Sequence, residues 1–113
     1  MDNRRKNNQK SMIVLVDSYC KIMGVRKDVL TTKKRTSKVV KGVHVDYMRM
    51  CLAHYMINNG VLLGHAASMI GYATHSTISH NRKIINHYIE TKDPYLYPYW
   101  EKLMELVKVL KPV

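Results

Sequence analysis

Apolar residues recur three and four positions apart, the spacing of one helix face, in five stretches of the chain. These stretches predict helices over 11–23, 44–59 and 63–70, a polar-faced helix to about residue 91, and a last amphipathic helix after it. Residues 26–30 predict one further turn. The chain is therefore predicted to be all-α, a compact helical bundle of about five to six helices.

Start and stop signals predict the ends of these helices. Ser11 is the predicted N-cap of the first helix, and Gly24 follows its last turn. Asn58-Asn59-Gly60 is a stop signal for the central helix. Asp93-Pro94 predicts a cap followed by a first helical residue, and Pro98 is an alternative start for the last helix.

The same periodicity predicts the core. The positions expected to face inward on the first two segments are Ile13, Val16, Cys20, Met23, Val29 and Leu30. The central helix has an apolar stripe with two further apolar residues off it, Met50 and Ile57, so neighbours are expected on both sides. Its stripe consists of Val45, Met48, Leu52, Tyr55 and Met56. Its predicted exposed side consists of Tyr47, Arg49 and His54.

The composition of the chain indicates what kind of partner it binds. The 113 residues are 46% hydrophobic, enough for a folded domain, and carry a formal net charge of +11. Such an excess in a small domain favours a polyanionic partner, most often nucleic acid. A membrane surface is the weaker alternative, because no helix combines a basic face with a Trp/Leu-rich one.

Cysteine usage and the N-terminal segment favour the cytoplasm. Cys20 and Cys51 are single residues inside apolar patterns rather than a CxxC pair, so we expect buried free thiols. The apolar run 12–16 is cut short by Asp17, which makes it too short for a signal-peptide core. Without an HExxH or CxxC motif, we expect no enzyme, no metal site and no cofactor.

Basic residues are concentrated in two places. Residues 1–10 predict a flexible basic N-terminal arm, and residues 11–113 a single helical DNA-binding domain. Residues 31–41 form a second basic segment, without an acid, between two predicted helices. Fixed positive charge there suits contact with phosphates. The candidate DNA-binding residues of this basic loop are Lys33, Lys34, Arg35, Ser37, Lys38 and Lys41.

The polar-faced helix follows a glycine-containing turn, and Thr74 suits its N-cap. At about 100° per residue, one stripe of this helix holds Ser76, His80, Lys83 and His87. The opposite side holds Ile78, Ile85 and Ile89. A short helix, a turn and a helix with a polar outer stripe predict a helix-turn-helix over about 63–91.

The order of a basic loop, a long helix, a short helix and this last motif resembles the C-terminal DNA-binding domain of the bacterial replication initiator DnaA, a Trp-repressor-like helix-turn-helix. The likeness covers roughly 13–89. Its most specific part is the family signature Asp-His-Thr-Thr-Val-x-His, which here reads Thr74-His75-Ser76-Thr77-Ile78-Ser79-His80.

The resemblance implies that the helix over 75–91 enters the major groove of double-stranded DNA. It also implies that Arg35, with the rest of the basic loop 31–41, reaches the backbone and the minor groove. Replication or transcription control is the expected role. The candidate major-groove residues are Thr74, His75, Ser76, Thr77, Ser79, His80 and Lys83.

Two signature positions depart from the family. Thr74 replaces its Asp and loses a carboxylate, and Ser76 replaces its first Thr and loses a methyl group. We therefore do not expect the initiator's own recognition sequence to be the target. The family's ATPase has a GxxxxGK[ST] loop that this chain lacks, so the DNA-binding module alone is expected.

Two other functions remain open from the residues. A protein-interaction adaptor would dock a replication or transcription partner through the last helix or the Met-rich central helix. An RNA-binding protein would use the same basic surface, although the tyrosines cluster at 95–99 and not beside the basic loop. Competition between duplex DNA and structured RNA separates the two nucleic acids.

Overall fold

The fold is built from six helices and one short pair of strands in the described part of the chain. A computed structural model describes residues 3–31, 39–40, 42–70 and 75–110, with the side chains of 3–10, 39–40, 63 and 75–81 left out of the description. The elements are α1 (Asn3–Met23), α2 (Lys27–Thr31), β1 (Val39–Val40), β2 (Val43–His44), α3 (Val45–Asn58), α4 (Leu63–Ile70), α5 (His75–Glu90) and α6 (Tyr97–Leu110). The predicted all-α class is confirmed.

The first helix begins earlier than predicted. It starts at Asn3, so Ser11 lies inside it and is not the N-cap, and residues 3–10 are helical where a flexible arm was predicted. This segment contains Arg, Lys and Gln, which are good helix formers, and it has no Gly or Pro. A helix already held by its buried half extends through such residues without a second apolar face.

The buried stripe of α1 is also wider than predicted. Ile13 is 44% exposed, which contradicts its predicted place in the core, whereas Val16 and Cys20 are buried. Sequence reasoning missed three buried residues, Met12, Leu15 and Tyr19. Tyr19 is tolerated there because its hydroxyl donates to the carbonyl oxygen of Tyr99 at 2.8 Å.

The central position of α3 is confirmed. It packs against α2, α4, α5 and α6, and its predicted stripe Val45, Met48, Leu52, Tyr55 and Met56 is buried. Two residues predicted for its exposed side, Arg49 and His54, are buried instead, with 5% and 7% exposure. Because four neighbouring helices pack around α3, little of its surface is left exposed for polar side chains.

Arg49 is buried because it caps another helix. Its guanidinium donates to the carbonyl oxygens of Leu30 at 2.7 Å and Val29 at 3.0 Å, at the end of α2. Its third contact is an ion pair with Asp46 at 2.9 Å. The last carbonyls of a helix lack partners within the helix, so this side chain ties the end of α2 to α3.

The last helix begins at the later of the two predicted starts. Asp93 accepts hydrogen bonds from the N–H groups of Tyr95 and Leu96 at 3.0 and 2.9 Å, which closes a turn before the helix. Helix α6 then starts at Tyr97, with Pro98 in its first turn, where a missing N–H costs little. Leu96 and Leu103 are fully buried and attach this end of the chain to the core.

Candidate nucleic-acid interface

The predicted helix-turn-helix corresponds to α4 and α5, which pack against each other and against α3. The bounds of α4 match the prediction, and α5 ends at Glu90, one residue before the predicted Thr91. Ala66 and Ala67 are buried, which agrees with the close helix approach that small side chains allow. The turn itself, 71–74, lies outside the described residues.

Most of the candidate major-groove side chains are not among those described. Thr74 lies outside the described residues, and for His75, Ser76, Thr77, Ser79 and His80 the structure describes only a helical backbone. The described remainder of α5 follows the predicted pattern. Lys83 and His87 are exposed, whereas Ile85 is 1% exposed and belongs to the core.

The candidate residues of the basic loop, Lys33, Lys34, Arg35, Ser37, Lys38 and Lys41, also lie outside the described residues. The structure does show what holds the two ends of this segment. On one side, α2 ends at Thr31 beneath the Arg49 side chain. On the other, Val39–Val40 pairs antiparallel with Val43–His44, and the His44 N–H donates to the Tyr99 hydroxyl at 2.8 Å.

Sequence reasoning missed this short strand pair. Gly42 lies between the strands with a φ of +83°, a conformation that glycine adopts without steric cost. Each strand has only two residues, too few to show the alternation by which a strand is predicted.

Helices α3 and α5 border an open groove of about 430 Å³, which we call the α3–α5 groove. It is lined by His54 and Asn58 from α3 and by Arg82, Lys83 and Asn86 from α5. His54 and Asn58 are four residues apart on α3, and Asn86 lies three and four residues after Lys83 and Arg82 on α5, so the lining residues of each helix are neighbours on its surface. Sequence reasoning did not find His54 or Asn58 as site residues. The available signal was a polar pair four residues apart in the second half of a largely apolar helix.

Positive charge dominates the α3–α5 groove. Arg82 and Lys83 are exposed neighbours, and neither forms an ion pair with a carboxylate among the described residues. One lining residue contacts an acid: Asn86 Nδ2 donates a hydrogen bond to Glu90 at 3.0 Å. The groove thus offers two unpaired cations and carboxamide groups, which suit an anion.

His54 lies at the buried side of the groove. Its ring meets Trp100 edge-on at a centroid distance of 5.5 Å. Burial, and secondly the charge of Arg82, lower the pKa of His54 below its ordinary value, so the imidazole is neutral at physiological pH. Its Nδ1 atom is buried and has no hydrogen-bond partner among the described residues.

The two cysteines are buried free thiols, as predicted. Burial raises the pKa of Cys20 to about 11 and that of Cys51 to about 12, so both stay protonated at neutral pH. A protonated buried thiol is a poor nucleophile and a poor metal ligand. The described residues contain no group of three or more His, Cys, Asp or Glu side chains placed to hold a metal ion.

None of the described helices is both long enough and apolar enough to cross a membrane. Comparison with protein-family models, curated proteins and solved structures finds no match to this chain.

Proposed function

We propose that this chain binds double-stranded DNA in a sequence-specific manner, as its resemblance to the DnaA C-terminal domain suggests. In this proposal α5 lies in the major groove, and the basic loop 31–41 follows the backbone into the neighbouring minor groove. In this proposal the chain controls replication or transcription in the cytoplasm and does not act as an enzyme.

The observation that carries the proposal is the two-sided character of α5. Ile85 anchors the helix in the core, while Arg82, Lys83 and His87 are exposed on it. A recognition helix needs this arrangement, because a rigid attachment fixes its position while its outer side chains contact phosphates and base edges. The formal net charge of +11 supplies the long-range attraction to DNA.

Selection of bound sequences from a pool of random duplexes tests this proposal. We expect the unchanged chain to enrich one sequence pattern. His75→Ala should alter the preference at the centre of that pattern, because each well-paired base contact contributes roughly 1–3 kcal/mol. Arg35→Ala should weaken binding and alter the preference at a flank, as expected for a minor-groove contact.

Lys102→Ala is the matched control, because Lys102 is an exposed cation on α6, a helix to which no DNA contact is assigned. This variant should keep the pattern of the unchanged chain. If His75→Ala and Arg35→Ala also leave affinity and preference unchanged, the assigned residues are wrong. If no duplex is enriched at all, sequence-specific DNA binding is wrong.

The alternative is a protein-interaction adaptor, and one observation favours it. Helix α1 exposes three apolar side chains, those of Ile13, Val14 and Ile22, which are 44–51% exposed. A groove of about 330 Å³ beside Ile13 is lined partly by Val16 and Met69.

The Met-rich helix α3 is less suited to docking than predicted, because Met48 and Met56 are fully buried. Stable co-purification of a protein partner, with salt-tolerant or absent DNA binding, would favour the adaptor.

A further inference from the structure

We propose that the α3–α5 groove is a binding site for a phosphate group. The phosphate belongs either to a free small molecule, such as inorganic phosphate or a mononucleotide, or to the DNA backbone. This inference deepens the proposed function in the second case and stands without it in the first.

The donors of the groove fit a phosphate. Arg82 presents a planar guanidinium whose parallel N–H groups match two phosphate oxygens, and Lys83 beside it adds a second charge. The Asn58 side chain has no hydrogen-bond partner among the described residues, so its carboxamide N–H groups are available. Asn86 uses one N–H on Glu90 and keeps the other.

Within the described part of the chain, Arg82 and Lys83 also lack the carboxylate partners that exposed cations often have. The described ion pairs involve Arg26, Lys27 and Arg49, and each of these cations has an Asp partner. None of the described residues that line the α3–α5 groove carries a carboxylate. Two adjacent cations without a counter-charge repel each other, and a bound dianion removes that repulsion.

His54 is the second observation that points to a ligand. It lines the groove although it is only 7% exposed, and its Nδ1 atom lacks a partner among the described residues. An unpaired buried polar atom carries a cost of about 1–3 kcal/mol, so its retention calls for an explanation. A neutral imidazole beside Arg82 donates or accepts one hydrogen bond without adding repulsion.

The groove is larger than a phosphate alone requires. A volume of about 430 Å³ lies within the range typical of small-molecule sites. The space beyond the phosphate accommodates the sugar or base attached to it. The ring of Trp100, in edge contact with His54, closes one side of the buried imidazole.

The test is an NMR titration of the full chain with three probes: inorganic phosphate, deoxyadenosine monophosphate and a short DNA duplex. Sodium chloride at equal ionic strength and unphosphorylated deoxyadenosine are the matched controls. We expect phosphate-bearing probes to shift the signals of Asn58, Asn86 and the His54 ring, and deoxyadenosine to leave them in place.

The variants Arg82→Gln and Asn58→Asp should weaken phosphate binding roughly 10-fold or more, because a charge-assisted hydrogen bond is lost or a like charge is added. Lys102→Gln removes an equal charge from an exposed residue that does not line the groove, and it should change binding by no more than about twofold because solvent screens such a charge. Arg82, Asn58 and Lys102 are all exposed, so the three variants should fold.

Competition separates the two sources of phosphate. If deoxyadenosine monophosphate displaces the duplex more than chloride does at equal ionic strength, the groove takes a backbone phosphate. If both bind together, it takes a free phosphorylated ligand. The inference is overturned if no phosphate-bearing probe shifts the groove signals. It is also overturned if the Arg82→Gln and Lys102→Gln variants bind the phosphate-bearing probes with equal affinity.

These results also separate the groove from the proposed function. If the chain binds the duplex but the groove signals do not shift, the groove is not a phosphate site, and the proposal of DNA binding stands. If the groove binds phosphate but the chain does not bind the duplex, the phosphate site stands and the proposal of DNA binding is wrong.

Discussion

At the scale of single residues, the buried polar side chains of α3 show how the helices are joined. Arg49 lies within α3 but satisfies carbonyl oxygens of α2, and it does so from a site with 5% exposure. A buried charge is tolerated only while its hydrogen bonds remain, because an unpaired charge is costly to bury. The carbonyl oxygens that it contacts would likewise be left without a hydrogen-bond donor if it were removed. The end of α2 is therefore held to α3 by one guanidinium.

Replacing this residue tests that dependence. Arg49→Met keeps much of the side-chain volume but leaves the carbonyl oxygens of Val29 and Leu30 without their partner. We expect the free energy of unfolding to fall by about 2–4 kcal/mol. Urea denaturation followed by circular dichroism measures it.

Arg26→Met is the matched control, because Arg26 pairs with Asp28 at the surface, where both side chains are mostly exposed. Such a pair contributes at most about 1 kcal/mol, and the control should change stability by no more than that. Equal losses in the two variants would show that Arg49 does not act as a cap.

At the scale of secondary-structure elements, α1 and α3 end in the same way. Gly24 and Gly60 follow the two helices with φ values of +73° and +88°. In each case the next residue donates its N–H back across the turn, Val25 to Cys20 and Val61 to Met56, both at 3.0 Å. Val25 and Val61 are buried. This is the Schellman arrangement, which ends a helix and directs the chain inward.

Two glycine substitutions with opposite expected signs test this account. A Cβ at Gly60 would meet nothing within 4 Å, so Gly60→Ala probes the left-handed backbone alone and should destabilise the fold by about 1–2 kcal/mol. Gly64, inside α4, also has open space around its Cβ position. Gly64→Ala should stabilise the fold by about 0.4–1 kcal/mol. Thermal unfolding measures both, and a loss of stability in Gly64→Ala would contradict the account.

The elements were largely predictable from the sequence because their signals are local. The ends of α3 and α4 and the stops at Gly24 and Gly60 follow from short patterns of turn residues and apolar periodicity. The start of α1 could not be predicted in this way, because residues 3–10 lack the apolar face on which the prediction relied. The buried states of Arg49 and His54 depend on neighbours distant in the chain, which no local pattern contains.

The candidate site was less predictable than the fold. Lys83 was found from helical spacing, and its exposure agrees with the prediction. The α3–α5 groove was missed because α3 and α5 contribute residues separated by more than twenty positions in sequence. Which residues of two helices face each other depends on their packing, and the pattern of either helix alone does not specify that packing.

At the scale of the whole molecule, a small core supports a strongly basic surface. The Cα radius of gyration is 13.1 Å, close to the ~13 Å typical of a compact chain of about this length. A net charge of +11 on so small a body destabilises the compact state through self-repulsion. The polyanionic partner that we propose would relieve that repulsion.

The salt dependence of duplex binding tests the central claim most directly. If about six to eight Lys and Arg side chains neutralise phosphates, affinity for a DNA duplex should fall by ~10³-fold or more between 50 and 200 mM salt. Fluorescence anisotropy of a labelled duplex measures the change, with structured RNA as competitor. A steep loss of affinity with salt, together with preference for the duplex, is the predicted result. Absence of duplex binding at 50 mM salt, or an affinity that does not change with salt, would contradict the account.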